Sequence, residues 1–225
     1  MTSLSSLNTQ QREAVTSING PVMILAGAGS GKTRVIIQRI AYLIQKKQVS
    51  PNQILAVTFT NKAAEEMRSR LNKILKGKRE GILLSTFHSL GVSLLRKSIH
   101  HLGYRSNFII YDKRDQISVI RTIMEDHDYD QSGLIDPKSV HFQISQAKSM
   151  GKAPEVFLEQ KESLEKQLIG KIFQQYQEIM KGCNAIDFED ILNFIVTLFE
   201  KKTDFMQSII DHYRYIMVDE YQDTN

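Results

Sequence analysis

The sequence contains very little cysteine and no long hydrophobic run. Cys183 is the single cysteine among 225 residues, which excludes an internal disulfide and favours a reducing, cytoplasmic compartment. No apolar run approaches the ~20 residues that a membrane-spanning helix needs, so no membrane partner is expected. The first ten residues are mostly polar and carry no charge, which is not typical of a signal or transit peptide.

Charge is unevenly distributed along the chain, although the formal net charge is only +4. Residues 32–105 contain 15 Lys and Arg against 3 Asp and Glu, whereas residues 106–225 contain 13 against 21. A basic half in a near-neutral protein is compatible with a polyanionic partner and equally with an ordinary solvated surface. Charge alone therefore leaves both interpretations open.

A glycine-rich segment follows the apolar residues 22–25 and precedes a segment with helical apolar spacing. It consists of Ala26, Gly27, Ala28, Gly29, Ser30, Gly31, Lys32 and Thr33. A strand, such a loop and a helix in succession predict a phosphate-binding loop, in which glycines leave backbone N–H groups accessible. Lys32 supplies a positive charge for the outer phosphates of a nucleotide, and the Thr33 hydroxyl is suited to bind Mg²⁺. Ala26 departs from the usual pattern, which has glycine at that position.

Strands and helices alternate in the first part of the chain, which predicts an α/β fold with a parallel sheet. The predicted strands are residues 22–26, 54–58, 82–85 and 215–218. We find no convincing strand between residues 112 and 205. Gly151 and Pro154 interrupt the chain, and one long helix is predicted from about 155 to 181. The predicted division is a first nucleotide-binding part at 1–107, an all-helical insertion at 108–183, and a return to the first domain at 184–225.

A loop with polar residues follows each of the four predicted strands, and the carboxyl ends of parallel strands meet at one edge of the sheet, where ligands bind. Asp219 and Glu220 come directly after the last strand. We expect Asp219 to complete a Mg²⁺ site with Thr33, and Glu220 to orient and deprotonate an attacking water. Gln222 is placed to sense the γ-phosphate by a hydrogen bond.

Six segments resemble, in the family's order, the motifs of superfamily 1 DNA helicases of the UvrD/Rep/PcrA type. They are LNTQQREAV, AGAGSGKTR, AVTFTNKAAEEM, STFHS, DFEDIL and VDEYQDTN. The resemblance covers the whole chain, Rep-like helicases look nearest, and the family tolerates alanine at the position of Ala26. It implies a RecA-like P-loop domain that is interrupted by a helical subdomain.

The resemblance also implies individual binding residues. Gln11 would recognise the adenine edge and Arg34 would stack on the base, roles that suit an amide and a planar guanidinium. A track for single-stranded DNA is implied over Phe59, Thr60, Asn61, Lys62, Thr86, Phe87 and His88. Exposed aromatic side chains stack on bases and nearby cations bind phosphates. Phe87 and His88 are equally compatible with positions in the core.

The expected function is that of the N-terminal ATP-binding part of an ATP-dependent DNA helicase. With ATP and Mg²⁺, the intact enzyme would translocate 3′→5′ on single-stranded DNA and unwind duplex junctions. Family members carry a second motor domain after the Asp-Glu-Tyr-Gln motif, so we expect this chain alone to bind Mg-ATP weakly, to have little or no hydrolytic activity and to unwind nothing. Two alternatives stay open: a P-loop kinase, and a nucleotide- and DNA-binding module without turnover. No oligomeric state is indicated.

Overall fold

The computed structural model describes residues 4–27, 29–76, 80–129, 135–160 and 163–224. The chain forms two compact units, of which the first comprises Met1–Leu90 and Asp204–Asn225 and the second Gly91–Thr203. These boundaries differ from the division at 107/108 and 183/184 that the sequence suggests. That division into domains stays a prediction.

Five strands and ten α-helices are present among the described residues. The strands are β1 (Ile54–Thr58), β2 (Leu83–Thr86), β3 (Ile109–Ile110), β4 (Ala185–Ile186) and β5 (Tyr215–Val218). The helices are α1 (Thr9–Thr16), α2 (Lys32–Lys47), α3 (Asn61–Leu75), α4 (Phe87–Ser98), α5 (Lys113–Asp126), α6 (Pro137–Ser149), α7 (Glu155–Leu158), α8 (Leu164–Gly182), α9 (Phe188–Glu200) and α10 (Asp204–His212).

A three-stranded parallel sheet with the order β2-β1-β5 lies in the first unit. The central strand β1 is buried along its whole length, as its unbroken apolar sequence predicts for a covered parallel strand. Ile40 of α2, Leu71 of α3 and Met217 of β5 belong to one buried cluster with β1 residues. The unit is therefore a mixed helix and parallel-sheet structure, and the strands predicted at 54–58, 82–85 and 215–218 are confirmed.

The strand predicted at residues 22–26 is wrong for this structure, because residues 21–27 adopt no regular secondary structure. Leu25 is 89% exposed and Met23 is 69% exposed. A cavity of about 570 Å³ lies between residues 20–25 and residues 216–222, so this segment does not pair with β5. An apolar segment forms a strand only where a neighbouring strand supplies hydrogen bonds, which local sequence does not reveal.

Helices α5, α6 and α8 form the core of the second unit. Ile120, Ile144, Phe173 and Tyr176 are among its fully or almost fully buried side chains. The unit is not all-helical, because β4 pairs in parallel with β3. The prediction that no strand lies between 112 and 205 is therefore wrong at β4. Two residues are too few to show the alternation that identifies a strand in a sequence.

The single helix predicted from about 155 to 181 is also wrong, because α7 and α8 are separate helices that pack against each other. Ser163 caps α8 by accepting a hydrogen bond from the Lys166 backbone N–H at 3.3 Å. A Cβ on Gly170 would lie only 2.7 Å from Cδ2 of Leu158. Glycine at this position therefore permits α7 to approach α8 closely, a contact that one continuous helix could not make. None of the helices in the described ranges is sufficiently long and apolar for a membrane span.

Candidate functional site

The glycine-rich loop requires glycine at two positions for conformational reasons. Gly29 and Gly31 have φ angles of 75° and 89°, in the left-handed region that other residues rarely adopt. Gly31 also precedes the first turn of α2 as its N-cap, and a Cβ there would lie 3.3 Å from Nε2 of Gln11. The loop thus leads directly into a helix N-terminus, which favours anion binding. Ala28 lies outside the described residues.

Lys32 turns back over the loop from the first position of α2. Its ammonium donates a hydrogen bond to the Ala26 carbonyl at 3.2 Å and lies 3.9 Å from Oε2 of Glu220. Glu220 comes directly after β5 in sequence. The lysine of the loop and the glutamate predicted as a base are therefore neighbours in the structure.

Asp219 extends the pairing of β5 by one residue, because its backbone N–H donates to the Val57 carbonyl at 2.9 Å. Its carboxylate is buried, with 4% of the residue exposed, and accepts a hydrogen bond from the Thr33 hydroxyl at 3.0 Å. The structure therefore brings together the two residues that the sequence suggests for a metal site, although 186 positions separate them.

The environment of Asp219 suits Mg²⁺. Mg²⁺ favours oxygen ligands and is usually held by one or two carboxylates together with phosphate oxygens and waters. A buried carboxylate and a hydroxyl beside a phosphate-type loop meet that requirement. No cluster of three or more His, Cys, Asp or Glu side chains suited to a metal occurs in the described ranges.

Glu220 has a strained backbone, since its φ of 54° lies in the left-handed region. Such strain in a residue other than glycine is common at functional sites. The Gln222 amide donates a hydrogen bond of 2.5 Å to Oε2 of Glu220, so Gln222 orients the glutamate in this structure. Its predicted role as a γ-phosphate sensor stays a prediction.

The N-terminal segment, which contains α1, also contacts the glycine-rich loop. Nε2 of Gln11 donates to the Ser30 carbonyl at 3.0 Å, and Asn8 and Gln11 form a capping box at the start of α1. The Arg34 guanidinium donates to the carbonyl and the hydroxyl of Ser6 at 3.0 and 2.9 Å. The two residues expected to bind the base thus both interact with the protein beside the loop. Ser6 was not identified from the sequence, because a serine in a turn carries no pattern.

Two of the residues expected to bind DNA form an aromatic pair at the carboxyl edge of the sheet. The rings of Phe59 and Phe87 lie 5.3 Å apart between their centroids. Phe59 is 37% exposed, whereas Phe87 and His88 are half-buried. The strands end in register, with Thr58 opposite Thr86, which places the two aromatic residues that follow next to each other.

The remaining residues of the predicted track have different surroundings. The Thr60 hydroxyl caps α3 by accepting from the Ala63 N–H at 3.1 Å, and Asn61 and Lys62 are exposed in the first turn. Thr86 is buried and its hydroxyl donates to Ser89 Oγ at 2.9 Å. Asn61 and Thr86 line a pocket of about 380 Å³ together with Arg68. Arg68 was not identified from the sequence, where it is one of several basic residues on α3.

A buried ion network lies in the second unit at the DFEDIL segment. Nζ of Lys148 is 2.5 Å from Oδ2 of Asp187 and 2.7 Å from Oδ1 of Asp190, and the Tyr176 hydroxyl donates to Asp187 at 3.0 Å. Asp187 is confirmed as the N-cap of α9. Its ion pair with Lys148 was not predicted, since nothing in the sequence indicates which lysine approaches the cap.

Burial raises the pKa of both carboxylates and the charge of Lys148 lowers it, but the net shift differs between Asp190 and Asp187. Burial, assisted by Asp187, raises the pKa of Asp190 to about 6, although Lys148 opposes the shift. For Asp187 burial also favours the neutral form, but the charge and hydrogen bond of Lys148 outweigh it, so its pKa falls below the usual value. Burial, followed by the charge of Asp187, raises the pKa of Tyr176, which therefore stays a hydrogen-bond donor.

Comparison with known proteins identifies one family along nearly the whole chain. Residues 7–225 match the UvrD/REP helicase N-terminal domain. The ATP-dependent DNA helicase PcrA of Bacillus subtilis is 42% identical over 222 residues, and those of Staphylococcus aureus and Staphylococcus epidermidis are 40% identical over the same length. The match covers 99% of this chain and 30% of each relative. The chain therefore belongs to the UvrD/REP helicase N-terminal domain family.

Proposed function

We propose that this chain is the ATP-binding part of an ATP-dependent DNA helicase, with a RecA-like P-loop domain and a helical insertion. The observation that carries the proposal is the contact of the Thr33 hydroxyl with the buried Asp219 carboxylate at 3.0 Å. It joins the helix that follows the glycine-rich loop to the end of β5. A phosphate site and a metal site therefore adjoin each other, as nucleotide hydrolysis requires.

Each residue of this site has a distinct task in the proposal. The N–H groups at the start of α2 and the ammonium of Lys32 bind the phosphates. Thr33 and Asp219 would hold Mg²⁺, which would neutralise phosphate charge. Glu220 orients and deprotonates the attacking water, since a carboxylate is a suitable general base. Gln222 fixes the orientation of that carboxylate through its 2.5 Å hydrogen bond.

Single-stranded DNA is the proposed polymer ligand, at the carboxyl edge of the sheet. Phe59 offers an exposed ring, and the adjacent Phe87 supports it from 5.3 Å. Lys62 is an exposed cation three residues after Phe59. Asn61 and Arg68 line a pocket with Thr86, which directly precedes Phe87, and Arg68 also pairs with Glu65 there. Stacked bases and neutralised phosphates give binding without sequence preference. Translocation in the 3′→5′ direction and unwinding of duplex junctions are proposed for the complete protein, by similarity to the PcrA helicases.

Calorimetric titration with Mg-ATP tests the nucleotide site. Lys32→Ala should weaken binding at least tenfold without loss of folding, because its side chain contacts the loop and Glu220 and not the core. Lys46→Ala is the matched control, since Lys46 is exposed in the last turn of the same helix. Equal ATP affinity of the folded Lys32→Ala variant and the control would refute the assignment.

Binding without turnover is the second candidate function, and a specific observation favours it for the chain by itself. The two arginines nearest the loop in sequence are engaged elsewhere, Arg34 with Ser6 and Arg39 with the Ala14 carbonyl at 2.6 Å. An arginine at the outer phosphates can raise the rate ~10³–10⁵-fold, and both of these side chains are instead hydrogen-bonded to residues of the N-terminal segment. Measuring phosphate release against binding separates the two functions, and a phosphorylated acceptor in place of free phosphate would instead indicate a kinase.

A further inference from the structure

We propose that Ser6 is a positioning residue, which holds the Arg34 guanidinium in place for contact with a nucleotide base. This inference rests on the nucleotide-binding function proposed above. The structural basis is a pair of hydrogen bonds from one guanidinium nitrogen, to the Ser6 carbonyl at 3.0 Å and to the Ser6 hydroxyl at 2.9 Å. The two residues are 28 positions apart in the sequence.

The surroundings of the loop indicate where a base would lie. Asp219 and Glu220 approach Thr33 and Lys32 from the end of β5, and their carboxylates suit a metal ion and a reacting water. Gln11 approaches the loop from the N-terminal segment through the Ser30 carbonyl. An amide and a planar guanidinium are suited to the edge and the face of a base. The base therefore belongs on the side of the N-terminal segment.

Arg34 needs an external contact to have a defined orientation there. The residue is exposed on the first turn of α2, and an exposed arginine has many rotamers. Restricting those rotamers before the ligand arrives removes an entropic cost from binding. The two acceptors on Ser6 supply that restriction.

Ser6 itself is held by the packing of its neighbour. Leu7 is 4% exposed and forms a buried cluster with Val15 of α1 and Val35 of α2. Val35 directly follows Arg34, so the cluster ties the N-terminal segment to α2 next to the arginine. The turn Leu4–Ser6 is closed by a hydrogen bond from the Leu7 N–H to the Leu4 carbonyl at 3.3 Å. The position of Ser6 relative to Arg34 is therefore determined by core packing.

The experiment compares Mg-ATP with Mg-tripolyphosphate, which lacks the nucleoside, as ligands of the full chain in calorimetry. Ser6→Ala removes one of the two acceptors and leaves the carbonyl. We expect about three- to tenfold weaker binding of Mg-ATP and unchanged binding of tripolyphosphate. Ser50→Ala is the matched control, because Ser50 is exposed and its side chain makes no capping bond. In an Arg34→Ala background, Ser6→Ala should have no further effect on ATP affinity.

Three outcomes with the Ser6→Ala variant, and two with the unaltered chain, would overturn the proposal. Unchanged ATP affinity in Ser6→Ala would mean that Ser6 does not position the arginine. Tighter ATP binding would mean that Ser6 withdraws Arg34 from the base. An equal loss of affinity for ATP and tripolyphosphate would indicate a general effect on the loop. If the unaltered chain binds ATP no more tightly than tripolyphosphate, the assignment of a base site fails. If it binds neither ligand, the nucleotide-binding function itself is refuted.

Discussion

Replacement of Lys148 by methionine is expected to destabilise the second unit severely. Lys148 is 4% exposed and its ammonium contacts two carboxylates, those of Asp187 and Asp190, at 2.5 and 2.7 Å. Methionine has a similar volume, so it leaves no large cavity but removes the positive charge. Removing one partner of a buried ion pair typically costs about 3–5 kcal/mol, because the opposite charge is left buried without compensation. Here two carboxylates lose their partner.

The cost should increase with pH. In the unaltered protein the raised pKa of Asp190, about 6 against an ordinary value of 3.8, contributes stability that is present below pH 3.8 and is lost as the pH rises through 6. The lowered pKa of Asp187 has the opposite effect: it contributes stability above pH 3.8, and this contribution is lost as the pH falls through the lowered pKa. Without Lys148 both carboxylates lose their attraction to a cation and both pKa values rise. The variant should therefore be more strongly destabilised at pH 8 than at pH 5.

Urea unfolding followed by far-ultraviolet circular dichroism measures this effect. Since small domains have m values of ~1–3 kcal/mol/M, the midpoint of the transition of the second unit should fall by at least about 1 M. Lys152→Met is the matched control, because Lys152 is exposed shortly after the same helix. Adding Asp187→Asn and Asp190→Asn to Lys148→Met should recover much of the loss, as it removes the unpaired charges. A midpoint for Lys148→Met equal to that of the control at pH 8 would refute the reasoning.

Two further predictions concern the ligand sites of the first unit. Fluorescence anisotropy with single-stranded DNA should show affinity that falls with salt, and Lys62→Ala should reduce the slope of log K against log[salt] by about 0.7. Phe59→Ala should instead weaken binding by ~1–3 kcal/mol at an unchanged slope. A salt-independent affinity would contradict the first statement, and unaltered affinity in Phe59→Ala would contradict the second. Gly31→Ala should weaken Mg-ATP binding in calorimetry by more than tenfold, because alanine is strained at a φ of 89° and its Cβ would crowd Gln11; wild-type affinity in this variant would contradict the loop geometry.

The elements that could be predicted from the sequence are those with local signals. The strand at 215–218 was predicted correctly from four consecutive apolar residues, and the start of α9 from Asp187, whose carboxylate accepts a bond from the Asp190 N–H at 2.9 Å. The approach of Thr33 to Asp219 was also expected, on the assumption that both follow parallel strands of one sheet. The contact is present, although only Asp219 follows a strand, since residues 21–27 form none. In each case the signal lies within a few residues or follows from a general rule of topology.

The features that could not be predicted depend on partners far away in the sequence. The break between α7 and α8 allows Leu158 to pack on Gly170, and residues 159–163 contain no proline or glycine that would mark the break in the sequence. Nothing in the sequence distinguishes Lys148 and Ser6 from other lysines and serines. Only the fold brings them next to Asp187 and Arg34, respectively. Long-range contacts therefore account both for the errors in the predicted fold and for the site residues that were not identified from the sequence.

The apolar segment 22–25 leads to a prediction about association. It faces β5 across a cavity of about 570 Å³, and β5 is an edge strand of the sheet on which Ile216 is 61% exposed. Unpaired strand edges beside exposed apolar side chains favour pairing with another chain. We therefore expect this chain to self-associate as its concentration rises, in analytical ultracentrifugation. Ile216→Lys should shift the equilibrium toward the monomer, whereas Ile210→Lys, at a residue 55% exposed on α10, should not. If the chain is monomeric throughout, or if both variants behave alike, the edge of β5 is not the site of association.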